Sequence, residues 1–240
     1  MAFAPVLHSE WIKIRTLRSM QWALLAVVLA TAIFSALAGL DSDNTDSDPL
    51  FAAFFGVNFG QAAAVAFGTT AVSSEFQGGA LRLSLAAVPR RGLWLTAKAV
   101  AIGVPSLAVG LLTGVVSLAV GKAVLGDKAS GLAAAESLRG VIGCGVYLAL
   151  MALLAAGLTA LLRSGVATLS ILIPFLLVVS FVVGGVSGGI ADFLPDKAGQ
   201  VILHETSDGA LGPWSGLAVA ALWAAAALAA GAWSVRRRDV

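Results

Sequence analysis

Apolar residues fill the chain in six windows of about 20 positions, separated by short polar stretches. The windows fall near Trp22–Leu40, Phe51–Val72, Ala97–Gly121, Leu138–Leu162, Gly165–Ser187 and Trp214–Trp233. At ~1.5 Å per helical residue, each is long enough to cross ~30 Å of hydrocarbon. Membrane strands are about half that length and alternate in polarity. These windows do neither, so the pattern predicts six transmembrane helices. Ahead of the first, "VLHSEWIKIRTLRS" sets Leu7, Trp11, Ile14 and Leu17 on one helical face. Lys13 and Arg15 lie off that face, and Arg18 closes the segment beside it. This predicts a helix over about residues 5–19 lying on the membrane surface.

Composition supports the same picture. Charged residues make up 12% of the 240 positions and apolar types 59%, with a mean hydropathy of +0.94. Such a chain cannot cover a soluble surface with polar groups. The 27 glycines fit membrane helices that pack closely. Cys144 is the single cysteine, so no intrachain disulfide forms. No internal repeat is evident, and the chain reads as one membrane domain over residues 1–240.

Charge sorts cleanly between two sides. One side carries the N-terminal segment, residues 73–98, the Arg163–Ser164 turn and the C-terminal tail. It holds eleven basic residues against three acidic, which leaves +8. The other holds four basic against ten acidic, which leaves −6, and together they give the chain's +2. Basic residues favour the cytoplasmic side, so both termini are expected there. Trp22, Trp94, Trp214 and Trp233 fall near window ends, as interfacial aromatics do. Ala36-Leu37-Ala38 resembles a signal-peptide cleavage site, but about 20 residues containing Glu10 precede the window, and the charge pattern needs that span. The acidic run Asp41–Asp48 lacks the glycine and glutamate of a calcium loop and reads as a solvated outer turn.

The stretch from Ser73 to Lys98, "SSEFQGGALRLSLAAVPRRGLWLTAK", interrupts the apolar pattern. Gly78-Gly79 permit a sharp change of direction. "ALRLSLAAV" is long enough for about two helical turns, which Pro89 stops. The expectation is a short helix near the membrane surface, tethered at both ends to spans. Arg82, Arg90 and Arg91 also suit anionic lipid.

These residues carry a family resemblance. Glu75-Phe76-x-x-Gly79-Ala80-Leu81-Arg82, Leu85-Ala86-x-x-Pro89-x-Arg91 and Ala97-Lys98 resemble the signature of ABC-2 type permeases, the membrane subunits of ATP-binding-cassette exporters. "EWIKIRTLRS" resembles that family's elbow helix, and the tail Gly212–Val240 its last span. Ala80 departs from the pattern, which has a small hydroxyl residue there. The resemblance implies an all-α fold of six spans with an elbow helix (Trp11, Ile14, Arg15, Arg18) and a cytoplasmic coupling region over residues 75–98. It implies that Glu75, Gly79, Arg82, Leu83, Leu85, Pro89, Arg90 and Arg91 contact an ATP-binding subunit, present in two copies. A second permease copy or a sister permease completes the assembly, in the cytoplasmic membrane of a bacterium. The chain has no phosphate-binding loop, since Gly121-Lys122 is followed by Ala123, so ATP and magnesium belong to the partner. No cofactor, metal or nucleic acid is expected on this chain, only membrane lipid.

Within the second window, Gly56, Gly60, Ala64 and Gly68 form a small-residue ridge, and Asn58, Gln61 and Thr69 lie about a third of a turn away. Buried amides need partners, so these face either another helix or a substrate path. The family resemblance favours a path lined by spans two and five, with Phe55, Asn58, Gln61 and Thr69 opposite Phe175, Val178, Val179 and Val182. Pro174 is expected to kink the fifth span. No ionisable residue sits mid-span, so the natural cargo is amphipathic or hydrophobic. The loop over residues 188–213 is expected, by resemblance, to fold back as an outer hairpin.

Two other readings stand beside transport. A non-transporting subunit of the same type would relay ATPase motion to a signalling or surface partner. Gly185-Val186-Ser187-Gly188-Gly189 also matches the Gly-x-Ser-x-Gly of serine hydrolases, with His204 downstream, though Ser187 ends an apolar helix among glycines.

Overall fold

The computed structural model describes residues 3–40, 48–78, 80, 81, 84, 91–126, 131–179, 189, 191–206 and 209–237. Among them the chain is all helical, with no strand. The long elements are α1 (Phe3–Thr16), α2 (Arg18–Leu40), α3 (Pro49–Phe54), α4 (Val57–Ser73), α5 (Arg91–Leu125), α6 (Ala134–Leu162), α7 (Gly165–Pro174), α8 (Pro195–Gln200) and α9 (Pro213–Arg237). Among the described residues five helical stretches are long and apolar enough to cross a membrane, the second being α3 and α4 read together through Phe76. The protein is therefore a multi-pass membrane protein. Of the expected 165–187 window, the described helix covers Gly165–Val179; Val182 and Ser187 lie outside the described residues.

Helix α6 is the axis of the bundle, and α4, α5, α7 and α9 pack against it. Its small residues make this possible. At Gly157 and Gly145 the backbones of α9 and α5 come so close that an added Cβ would strike them. The Gly110-x-x-x-Gly114 pair of α5 meets Gly145 and Val141 in the same way. The expected ridge of α4 has two partners. Gly56 and Gly60 take Thr31 of α2, and Gly68 takes the Ala152 backbone of α6. Helix α2 is the most peripheral span. It exposes Trp22, Leu25, Leu29, Ile33 and Leu37, a stripe suited to lipid tails.

The second window is a broken helix rather than one rod. Asp48 caps α3 by accepting from the Phe51 amide at 3.0 Å, with Pro49 at the first helical position. The chain then turns at Phe55–Gly56 before α4 begins. A break inside a bilayer frees backbone groups that must find partners in the protein. Ser35 of α2 accepts from the Gly56 amide at 3.0 Å, and Ser117 of α5 donates to the Ala53 carbonyl at 2.8 Å. The two hydroxyls are 2.9 Å apart.

Pro174 also disrupts its helix, as expected. Lacking an N–H, it cannot bond back to Ser170, and the chain widens into a π-turn over Phe175–Val179. At the other end of α7, Ser164 caps by accepting from the Ala167 amide at 3.2 Å, after a left-handed turn at Arg163 (φ 55°).

The packing adds two details. Trp94 was expected near the end of a span. Helix α5 in fact begins at Arg91, before the predicted window, so Trp94 lies inside it and is buried among Ile14, Leu81 and Val235. Of the expected apolar face of α1, Trp11 and Leu17 are exposed and Ile14 is buried; the side turned toward the protein is Val6, Glu10 and Ile14. Glu10 turns inward because basic residues wait for it there.

Candidate functional site

At 35 residues and ~1.5 Å each, α5 runs ~50 Å and overshoots a ~30 Å hydrocarbon layer. Its first turns pack against α1, beside the end of α4. There the structure gathers Glu10, Lys13, Glu75 and Lys98 into one alternating ring of charge. The Lys98 ammonium stands 2.7 Å from Glu10 and 2.8 Å from Glu75. Lys13 stands 2.9 Å from Glu10 and 2.7 Å from Glu75. Lys98 also donates to the Ala71 carbonyl at the end of α4, at 3.2 Å. Glu10, Glu75 and Lys98 are buried, while Lys13 is partly open to solvent.

Two carboxylates and two ammoniums leave no net charge, which is how three of these ions tolerate burial. Burial works against the Lys13 charge. Hydrogen bonds to Glu75 and Glu10, and the charges behind them, outweigh it and raise its pKa above the ordinary lysine value. The ring ties α1, the end of α4 and the start of α5 into one unit. The short helix expected between α4 and α5 is attached to the same ring. Ser84 is helical and donates to the free oxygen of Glu75 at 2.8 Å. Leu81 is buried in the apolar cluster beneath, beside Trp94. Gly78 turns the chain with φ +60°, a conformation suited to glycine.

Of the residues assigned to partner contact, Glu75 therefore faces the protein rather than its surface. Gly79, Arg82, Leu83, Leu85, Pro89 and Arg90 lie outside the described residues, and Arg91 is described only as the first residue of α5. Of the N-terminal set, Ile14 is buried; Trp11, Arg15 and Arg18 are exposed, and Arg18 opens α2.

Asp48, Asp196 and Glu205 lie at the opposite end of the bundle. Asp48 holds the segment over residues 201–206 down: its second oxygen meets His204 Nδ1 at 3.1 Å and the Glu205 amide at 2.9 Å. The His204 ring stacks on Phe51 at 4.1 Å between centroids. Burial opposes the Asp48 charge, but hydrogen bonds from His204, Phe51 and Glu205, with the His204 charge, hold its carboxyl below the usual value. Helix α8 is folded into the bundle, with Ala198, Gly199 and Gln200 buried. Tyr147 of α6 donates to Gln61 of α4, and Gln200 donates to Tyr147 at 3.2 Å.

Gln61 thus spends its amide oxygen on an interhelical bond, while its NH2 donates to the Asn58 carbonyl at 3.1 Å. Thr69 is buried near the basic end. Phe55 and Asn58 do face a cavity, of about 480 Å³, between α3–α4, the π-turn and α8. From the fifth window it is Leu176 and Leu177 that line it; Phe175 packs against the core and Val178 is exposed. Of Val179 only the backbone is described. Asp196, Lys197, Gln200 and His204 complete the wall. The sequence reading missed Tyr147 and Lys197 because neither belongs to a local pattern. Comparison of the chain with protein-family models and with curated proteins returned no match.

Proposed function

We propose that this protein is the membrane-spanning permease subunit of an ATP-binding-cassette exporter, moving an amphipathic or hydrophobic cargo outward. On this reading α1 is the elbow helix, and the window over residues 165–187 is a sixth span. Both termini are cytoplasmic, and residues 79–91 form the coupling helix that an ATPase subunit grips. Two ATPase subunits and a second permease half complete the assembly in a bacterial cytoplasmic membrane. ATP-driven closure of the ATPase pair moves the coupling helices and switches the paired bundles between inward and outward access.

The observation that carries this reading is the charge ring. A lever transmits force only if its mount is stiff, and here both ends of the 76–97 segment meet at one buried ion cluster. A push on the short helix is delivered jointly to α1, α4 and α5. The gathering of basic residues at that end supports the cytoplasmic orientation. The test is co-expression with the ATPase encoded beside the gene. Co-purification and cargo-stimulated ATP hydrolysis support the reading; a chain that never associates with that ATPase contradicts it.

A further inference from the structure

We infer that the cavity between α4, the π-turn and α8 binds an anionic amphiphile, with its apolar tail against phenylalanine rings and its anionic head, a phosphate or carboxylate, at Lys197. This deepens the transport reading and rests on it only for the direction of movement.

The cavity has the size of a small-molecule site, about 480 Å³. One wall is apolar. Phe55 and Phe59 project from the broken helix, with Phe59 braced by Phe34 stacked at 3.8 Å, and Leu176 and Leu177 face them. The opposite rim is polar, and most of its groups are already committed. Gln200 donates to Tyr147, His204 is held by Asp48, and Asp196 is buried and engaged within the protein. Lys197 differs. It is partly exposed, and among the described residues it makes no ion pair or hydrogen bond. Among the described residues its ammonium is the one uncommitted charge on this wall, so charge complementarity selects an anion.

A second cavity, of about 280 Å³, shares Lys197 and His204 with the first. A head group at Lys197 therefore sits where the two cavities meet. The apolar wall opens sideways, because Phe55 and Leu177 are themselves exposed. A tail thus has a way in from the bilayer as well as from water.

The test uses the whole chain in phosphatidylcholine nanodiscs, with a diazirine-bearing dodecyl phosphate as photoprobe and mass spectrometry of the adducts. The inference expects adducts on the cavity wall. It expects dodecyl phosphate to compete at a concentration at least about tenfold below dodecyltrimethylammonium. Lys197→Gln should abolish that preference, and Lys122→Gln, an exposed lysine elsewhere at the same end, should keep it. Adducts spread over the outer stripe of α2, equal competition by the two amphiphiles, or a preference unchanged in Lys197→Gln would each overturn it. Repeating the labelling in phosphatidylglycerol nanodiscs identifies the source. Reduced labelling supports a bilayer lipid in the site, and unchanged labelling supports a soluble amphiphile. No ATPase is present, so the outcomes separate. Labelling of a chain that never couples to an ATPase removes the transport reading alone; no cavity labelling in a chain that does couple removes this site alone.

Discussion

The ammonium of Lys98 stands 2.8 Å from the carboxylate of Glu75, across twenty-three positions of chain. That contact closes the interruption between two membrane helices into a clasped loop, and Glu10 and Lys13 complete the clasp from α1. Removing one member of a buried ion set strands its partners. Lys98→Met leaves two buried carboxylates facing Lys13 alone and is expected to cost about 3–5 kcal/mol. The neutral pair Lys98→Met/Glu75→Gln should recover a large part of that loss. Unfolding in mixed micelles reads both; a single variant as stable as the parent contradicts the cluster's role.

Asp48 gives the fold a testable acid dependence. Its folded pKa lies below the unfolded value near 3.8. The stabilisation it supplies is therefore complete above that value and is lost as pH falls through the lower folded pKa. Asp48→Asn keeps a capping oxygen but loses the charge, so it should lower Tm at pH 7 through the lost charge rather than the lost cap. The gap from the parent should close on acidification past the folded pKa. A gap that stays constant down to unfolding would assign the effect to shape rather than charge.

The polar chain Gln61–Tyr147–Gln200 crosses the bundle from α4 to α8. Tyr147→Phe keeps the ring that packs on Gly199 but deprives two buried amides of a partner. The expected cost is about 1–3 kcal/mol. It should appear first as faster hydrogen exchange in α8, because a six-residue helix has few backbone hydrogen bonds of its own. Unchanged exchange there would show that apolar contacts alone hold α8 down.

Gly68 lies against the backbone of Ala152. Neither backbone has a flexible side chain to yield, so Gly68→Leu must push α4 from α6. Overpacking of this kind costs at least about 1–3 kcal/mol. A Gly68→Leu protein with parental stability would contradict the close approach.

Much of this architecture was legible because lipid imposes a simple rule. A run of apolar residues the width of a bilayer is a span, and the windows of α2, α5, α6 and α9 match their helices. The ridge Gly56, Gly60 and Gly68 was legible for the same reason, since only small residues allow contact between backbones. What a local pattern cannot carry is a pairing across the chain. Glu10 reads as one charge in a basic flank, because its partner Lys98 lies far along the sequence. Gln61 was recognisable as needing a partner, but Tyr147 and Gln200 were not recognisable as providing it. The break at Gly56 was likewise hidden, because the serines that repair it sit on α2 and α5.

The most direct measurement is thiol labelling of Leu83→Cys in a Cys144→Ser background, in intact cells expressing the neighbouring ATPase. If an ATPase grips residues 79–91 from the cytosol, a membrane-impermeant maleimide leaves that cysteine unmodified in intact cells. It then reacts in inside-out vesicles once the ATPase is stripped away. Modification from outside the intact cell would place the segment on the wrong side of the membrane and contradict the coupling mechanism.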